Sequence, residues 1–178
     1  MFIPIILGTA RHSRQSEKPA KFIHKQVGLS GHKTDILDVR KFLIKETDNS
    51  ETSKKAKKLA EIIKKADALI IVSPEYNHSY PGELKIMLDM LYNQYKNKPV
   101  GICAISAGNG GTRVADKLKL LALTLQMIPI SKTLYFPKVQ NLFNGWNRHK
   151  EIADEDYYEQ VREFLHELTF LAKKIKAV

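Results

Sequence analysis

Apolar residues in this chain follow two rhythms, short unbroken runs and longer stretches of helical period, and the two alternate. The runs are Phe2 to Leu7, Thr34 to Val39, Ala68 to Val72, Val100 to Ser106 and Ile130 to Phe136. Continuous apolar runs of this length, bounded by turn residues, predict strands buried on both faces. Pro4 lacks a ladder donor, so the first strand tolerates it only near its start. Between the runs, Ala20, Phe22, Ile23 and Val27 predict a helix over Glu17 to Val27. Residues 48 to 53 offer several caps for a second helix reaching about Lys65. Its apolar face is Ala56, Leu59, Ala60, Ile63 and Ala66, and the lysines at 54, 55, 57, 58, 64 and 65 mostly take the other side. Pro81 falls near the first turn of a third helix running to Tyr95, and a fourth is expected over Arg113 to Met127. The last, Asp154 to Lys176, puts Tyr158, Val161, Leu165, Leu168, Ala172 and Ile175 on one stripe. Its acids come early and its lysines late, as the helix dipole favours. Residues 137 to 150 read as a longer loop.

Five strands alternating with five helical segments predict an α/β fold, an open five-stranded parallel sheet covered on both faces. Ligands in such sheets bind beyond the carboxyl ends of the strands, where the strand order reverses. The loops after strands one, three and four are therefore the places to look. With 178 residues, residues 1–178 are expected to form a single domain.

Composition narrows the class of protein. A 43% apolar and 27% charged chain is globular, which disfavours disorder and collagen. Cys103, the single cysteine, cannot staple anything and reads as a small core residue. With no secretory leader pattern and no run long enough to span a bilayer, a cytoplasmic location is expected and a membrane partner is not. The formal charge is +10, and it is uneven: residues 1–150 hold 25 basic and 12 acidic side chains, residues 151–178 hold 4 and 7. That excess points to anionic partners. The lysine-rich second helix has the ordinary pattern of a solvated face, so no nucleic-acid partner is expected.

The first loop, GlyThrAlaArgHisSerArgGlnSer at 8–16, sets hydroxyls and arginines just ahead of a helix, a receptor for a terminal phosphate. It is neither a P-loop nor GxGxxG, and a plain capped helix start with solvent-exposed arginines is the competing reading. The second, from Pro74 to Gly82, carries two tyrosines and an amide between prolines, a stiff turn on which a flat heteroaromatic ring could rest. Glu75 and His78 as an acid–base pair are discounted, because neighbours at that spacing are commonplace. The third, Ser106 to Arg113, is rich in glycine and permits close backbone approach.

Together, GlyThrAlaArg at 8–11, ProGluTyrAsnHisSerTyrProGlyGluLeuLysIleMetLeuAsp at 74–89 and SerAlaGlyAsnGlyGly at 106–111 resemble the NADPH-dependent FMN reductase family. The resemblance implies a flavodoxin-like sheet of order 2-1-3-4-5 and an FMN enzyme that takes electrons from NADPH or NADH. The acceptor would be a quinone, azo dye, metal ion or flavin. It implies that Thr9, Arg11, Ser13 and Ser16 hold the FMN phosphate. Pro74, Glu75, Tyr76 and Asn77 would border the isoalloxazine, with Ser106, Ala107 and Gly108 on its other side. No side chain is expected to be catalytic and no metal is required, the flavin N5 carrying the chemistry. Backbone N–H groups of the third loop would stabilise the charge of reduced flavin. Two departures are plain. The first loop has threonine where the family usually has serine, which leaves the roles of Arg14 and Gln15 open, and Ile86 stands where asparagine is common. The alternative is an FMN-binding electron carrier without efficient NAD(P)H oxidation. Ile86 and Met90 add a second apolar set to the third helix, and the resemblance suggests a homodimer or homotetramer using it.

Overall fold

The computed structural model describes residues 1–44, 53–108, 110–143, 152 and 155–177. Its strands are β1 (Ile5–Leu7), β2 (Ile36–Asp38), β3 (Leu69–Pro74), β4 (Pro99–Ile105) and β5 (Ile128–Phe136). All neighbours pair parallel, in the order β2-β1-β3-β4-β5, the flavodoxin-like order expected from the sequence. The helices are α1 (Glu17–Leu29), α2 (Lys54–Lys65), α3 (Gly82–Leu88), α4 (Thr112–Thr124), α5 (Val139–Leu142) and α6 (Asp156–Lys176).

Every residue of β1, β3 and β4 is buried, which is why their sequences are apolar runs rather than alternations. One face of the sheet, including Ile6, Ile71, Ile102 and Ala104, packs under α2, α3 and α4. The other, including Ile5, Val72, Cys103 and Ile105, packs under α1, α5 and α6. Cys103 is wholly buried and burial pushes its thiol pKa up, so it is a core residue as expected. The lysines of α2 are exposed. No helix among the described residues is long and apolar enough to cross a membrane.

Several boundaries differ from the periodicity. β1 starts at Ile5, after Pro4, whose carbonyl accepts the Ile70 N–H at 3.1 Å. Ser53 is the cap of α2, its hydroxyl accepting from Ala56 N at 3.0 Å, while the candidates at 48–52 lie outside the described residues. The third helix ends at Leu88, and a separate 3-10 turn covers Asn93–Tyr95. The apolar spacing continues past the helix because Met90, Leu91 and Tyr95 fill the same core from backbone that is not α-helical. Met90 is 2% exposed, so it does not form the outward apolar set expected with Ile86, itself half-buried against that core. On α6, Tyr157 is buried and stacks on Phe136, while Tyr158 is half-buried and meets Phe22 edge-on. The expected loop at 137–150 opens with α5, and 144–150 lie outside the described residues.

Two packing features position the functional end of the sheet. In the middle of β4, a Cβ on Gly101 would stand 2.2 Å from the ring of buried Phe164 on α6, so the absent side chain seats that helix on the sheet. At the end of β2, Asp38 takes the buried Arg14 guanidinium in two hydrogen bonds of 2.8 and 2.5 Å. Arg14 also donates to the Thr9 carbonyl at 2.6 Å, tying the end of β1 to the end of β2. Partial burial works against the Asp38 charge. The hydrogen bonds from Arg14 and from the Arg40 backbone, with the two guanidinium charges, outweigh it and hold the carboxyl below its ordinary pKa.

Gly101→Ala should lower the urea unfolding free energy by about 1–3 kcal/mol through overpacking. Phe164→Leu should recover part of that loss in the double variant, and equal losses in the two backgrounds would contradict the packing account. Asp38→Asn should cost about 1–3 kcal/mol at pH 7, because it leaves the buried guanidinium incompletely paired. A carboxyl whose folded pKa is depressed stabilises above its unfolded pKa of about 4 and stops doing so as pH falls through the folded value. The difference between wild type and variant should therefore shrink on going from pH 7 to pH 3. A difference of the same size at both would contradict the ion pair.

Candidate functional site

Beyond the carboxyl ends of β1, β3 and β4 lies a cavity of about 270 Å³. The first loop contributes Arg11, Ser13, Arg14, Gln15 and Ser16 to its wall, and the second Pro74, Glu75 and Tyr76. Ile105, Ser106 and Ala107 supply a third side, closed by Val139 and Gln140. Eight of the eleven residues expected from sequence line it, and Thr9, Asn77 and Gly108 do not.

Thr9 is wholly buried behind the wall. Its hydroxyl lies 3.3 Å from the Tyr76 hydroxyl and 3.5 Å from Glu83 Oε1, and it accepts the Arg11 N–H at 3.3 Å. It braces the loop from within. The next residues are gripped on both sides. Glu83 Oε1 accepts the Ala10 N–H at 2.9 Å, while Arg40 donates to the carbonyls of Ala10 at 3.2 Å and Arg11 at 2.5 Å. Arg14, whose role the sequence left open, is committed to Asp38 and the Thr9 carbonyl. Arg11 is the cation left over: exposed, making no ion pair among the described residues, with its guanidinium 3.7 Å above the Tyr76 ring. Ser13 is exposed at φ +52°, its hydroxyl 2.9 Å from His12 Nδ1.

Two residues of the wall have incomplete bonding among the described residues: Arg14, whose buried Nε has no hydrogen-bond partner, and Ser16. Ser16 is 2% exposed, it opens α1, and its hydroxyl has no hydrogen-bond partner among the described residues. Buried hydroxyls normally find a partner. This one lies in the cavity wall at the positive end of a 13-residue helix, where an anion is favoured.

The second loop is a two-residue hairpin turn. Tyr76 and Ser79 exchange backbone hydrogen bonds of 2.9 and 3.0 Å, with Asn77 and His78 at φ +49° and +61°. A turn of this kind needs positive φ at both central residues, a conformation asparagine tolerates well. Asn77 is accordingly exposed at the apex of the turn and is not among the residues that line the cavity.

Glu75 leans toward the third loop. Its N–H donates to the Ile105 carbonyl at 2.8 Å, and its Oε2 accepts from Val114 N, in the first turn of α4, at 3.4 Å. The N-cap of α4 is Gly111 at φ +84°, where a Cβ would come within 3.2 Å of Ala104 Cβ. Of the N–H groups expected to stabilise charge here, that of Ser106 donates to Phe136 O at 3.1 Å and that of Gly108 to Ser106 Oγ at 2.9 Å. Among the described residues only the Ala107 N–H of these three has no such partner. Gly108 stands outside the wall because its carbonyl accepts Lys138 N at 2.9 Å, and Asn109 lies outside the described residues.

Val139 and Gln140 were not foreseen. β5 runs beside β4, so the segment after β5 must flank the segment after β4, and Gln140 Nε2 donates to the Ala107 carbonyl at 3.3 Å. The strand order itself carried that signal.

These residues suit a phosphorylated planar ligand. The unpartnered Ser16 hydroxyl and the unpaired Arg11 can donate to a phosphate, and Ser106 and Ala107 line the same cavity as Tyr76 with small side chains. The comparisons agree. The sequence profile of the NADPH-dependent FMN reductase family matches residues 1–141. An NAD(P)H-dependent FMN reductase of Saccharomyces cerevisiae is 25% identical over 147 residues, covering 71% of this chain and 76% of the relative. An FMN-dependent NADPH-azoreductase of Staphylococcus aureus is 28% identical over 134 residues, 71% of each chain. Among solved structures, the flavoenzyme NAD(P)H:(acceptor) oxidoreductase FerB of Paracoccus denitrificans superposes with a TM-score of 0.83 over 97% of both chains, at 22% identity, a likeness of fold. The chain belongs to the NADPH-dependent FMN reductase family, oxidoreductases that work with FMN and a reduced nicotinamide nucleotide.

Proposed function

We propose that this protein holds FMN in the cavity at the ends of β1, β3 and β4 and passes electrons from NAD(P)H to a small-molecule acceptor. A quinone, an azo dye, a metal ion or free flavin would fit such a site. The observation that carries the reading is Ser16, a buried hydroxyl without a partner in the cavity wall at the start of α1. A phosphate there would complete its bonding, with Arg11 supplying the charge that Arg14 has given to Asp38. The basic excess of residues 1–150 favours anionic ligands in the same way.

FMN, when bound, supplies the capacity to take two electrons from a reduced nicotinamide and give them to an acceptor. The chain supplies orientation. Tyr76, braced by Thr9 through its hydroxyl, forms one wall, and Ser106 and Ala107 form another. The free Ala107 N–H is the donor placed to stabilise negative charge that develops between these walls. Nucleotide and acceptor would take turns at one open face of the bound flavin.

Ser16→Ala and Arg11→Ala should each weaken FMN binding by about 1.5–3 kcal/mol, the usual loss for a hydrogen bond to a charged group. Fluorescence titration of flavin-free protein measures it, and unchanged affinity in both variants would remove the phosphate assignment. The purified protein should be yellow and should bleach when NADPH or NADH is added without oxygen. A yellow protein that neither nucleotide bleaches would instead be a flavin-binding electron carrier.

A further inference from the structure

We propose that Glu75 and Glu83 are positioning residues that set the separation of the two outer loops from the middle one. They act through the loops they hold rather than on the ligand; the inference rests on the FMN reading above.

Both carboxylates belong to one stiff segment, framed by Pro74, the Tyr76–Ser79 turn and Pro81. They reach in opposite directions. Glu83, in the first turn of α3, extends back to the first loop, where Oε1 takes the Ala10 N–H at 2.9 Å and lies 3.5 Å from the Thr9 hydroxyl. That N–H immediately precedes Arg11 and stands on the chain that leads to Ser16. Glu75 extends forward to α4, where Oε2 takes the Val114 N–H at 3.4 Å. α4 has no capping side chain of its own, since Gly111 occupies the N-cap, and its first turn holds no acid. A carboxylate from another loop therefore answers its positive end, a cap supplied across the cleft.

Neither carboxylate has any other hydrogen-bond or ion-pair partner among the described residues. Each is thus spent on the backbone of a neighbouring loop through a charge-assisted bond. Glu83 governs the side that would receive the phosphate, and Glu75 the side that would flank the ring. Riboflavin, which has the ring without the phosphate, separates the two effects.

The experiment is titration of flavin-free wild type, Glu83→Ala, Glu75→Ala and the two glutamine variants with FMN and with riboflavin. Glu83→Ala should lose about tenfold in FMN affinity while its riboflavin affinity stays within about threefold of wild type. Glu75→Ala should weaken both ligands by similar factors. Glutamine keeps a carbonyl acceptor for the same N–H, so Glu83→Gln and Glu75→Gln should recover most of the lost affinity. Equal loss of both flavins in Glu83→Ala would overturn the proposal. So would alanine variants that bind like wild type, or glutamine variants as weak as alanine, which would mean that the charge acts on the ligand itself. Wild-type protein that binds neither flavin would overturn the FMN reading and this inference with it.

Discussion

The site depends on one guanidinium being taken out of solution. Arg14 is buried against Asp38 in a two-bond pair and spends a further hydrogen bond on the Thr9 carbonyl, so the ends of β1 and β2 are fixed to each other. A charge buried in this way is costly unless it is paired, and Asp38 supplies the countercharge with two hydrogen bonds while the Thr9 carbonyl takes a third, leaving Nε without a partner among the described residues. Arg40 and Glu83 then hold the carbonyls and the N–H of the next two residues. A loop restrained at so many backbone atoms does not collapse onto the Ser16 hydroxyl, which is how a buried donor stays unpartnered in the cavity wall. The same pair neutralises Arg14 and leaves Arg11 as the cation at the rim.

Sheet architecture explains why the cleft is assembled from so many separate segments. Parallel strands deliver their carboxyl ends to one edge, and with both faces of β1, β3 and β4 packed under helices, only the connecting loops there face outward. Those loops come from distant parts of the sequence, so their spacing must be set by contacts between them. Tyr76 to Thr9, Glu83 to Ala10, Glu75 to Val114 and Gln140 to Ala107 are such contacts; the first two join the first loop to the second, the third joins the second loop to α4, and the fourth joins α5 to the third loop.

Much of this was legible in the sequence, for physical reasons. Strands buried on both faces must be continuously apolar, so Leu69 to Val72 and Val100 to Ile105 announce themselves, and their alternation with helical periods leaves few topologies. Three loops with unusual composition marked the cleft, and of the eleven residues in them that the family resemblance implied, eight line it. What was not legible lies where burial or backbone geometry, rather than residue type, decides where a residue is placed. Thr9 has the chemistry of a phosphate ligand but points into the protein. Asn77 was selected by its positive φ and not by its amide. The choice between Arg11 and Arg14 turns on Asp38, 24 residues beyond Arg14, and no local pattern shows that partner. The third helix was drawn too long because Met90, Leu91 and Tyr95 bury their side chains as a helix would, from backbone that is not α-helical.

The central claim is that Ser16 and the start of α1 receive a phosphate while the second and third loops flank a planar ring. A crystal structure of the protein with FMN tests it most directly. The account requires the phosphate within hydrogen-bond distance of Ser16 Oγ and the isoalloxazine between Tyr76 and the Ser106–Ala107 backbone. A phosphate bound elsewhere, with the Ser16 hydroxyl still unpartnered, would contradict it.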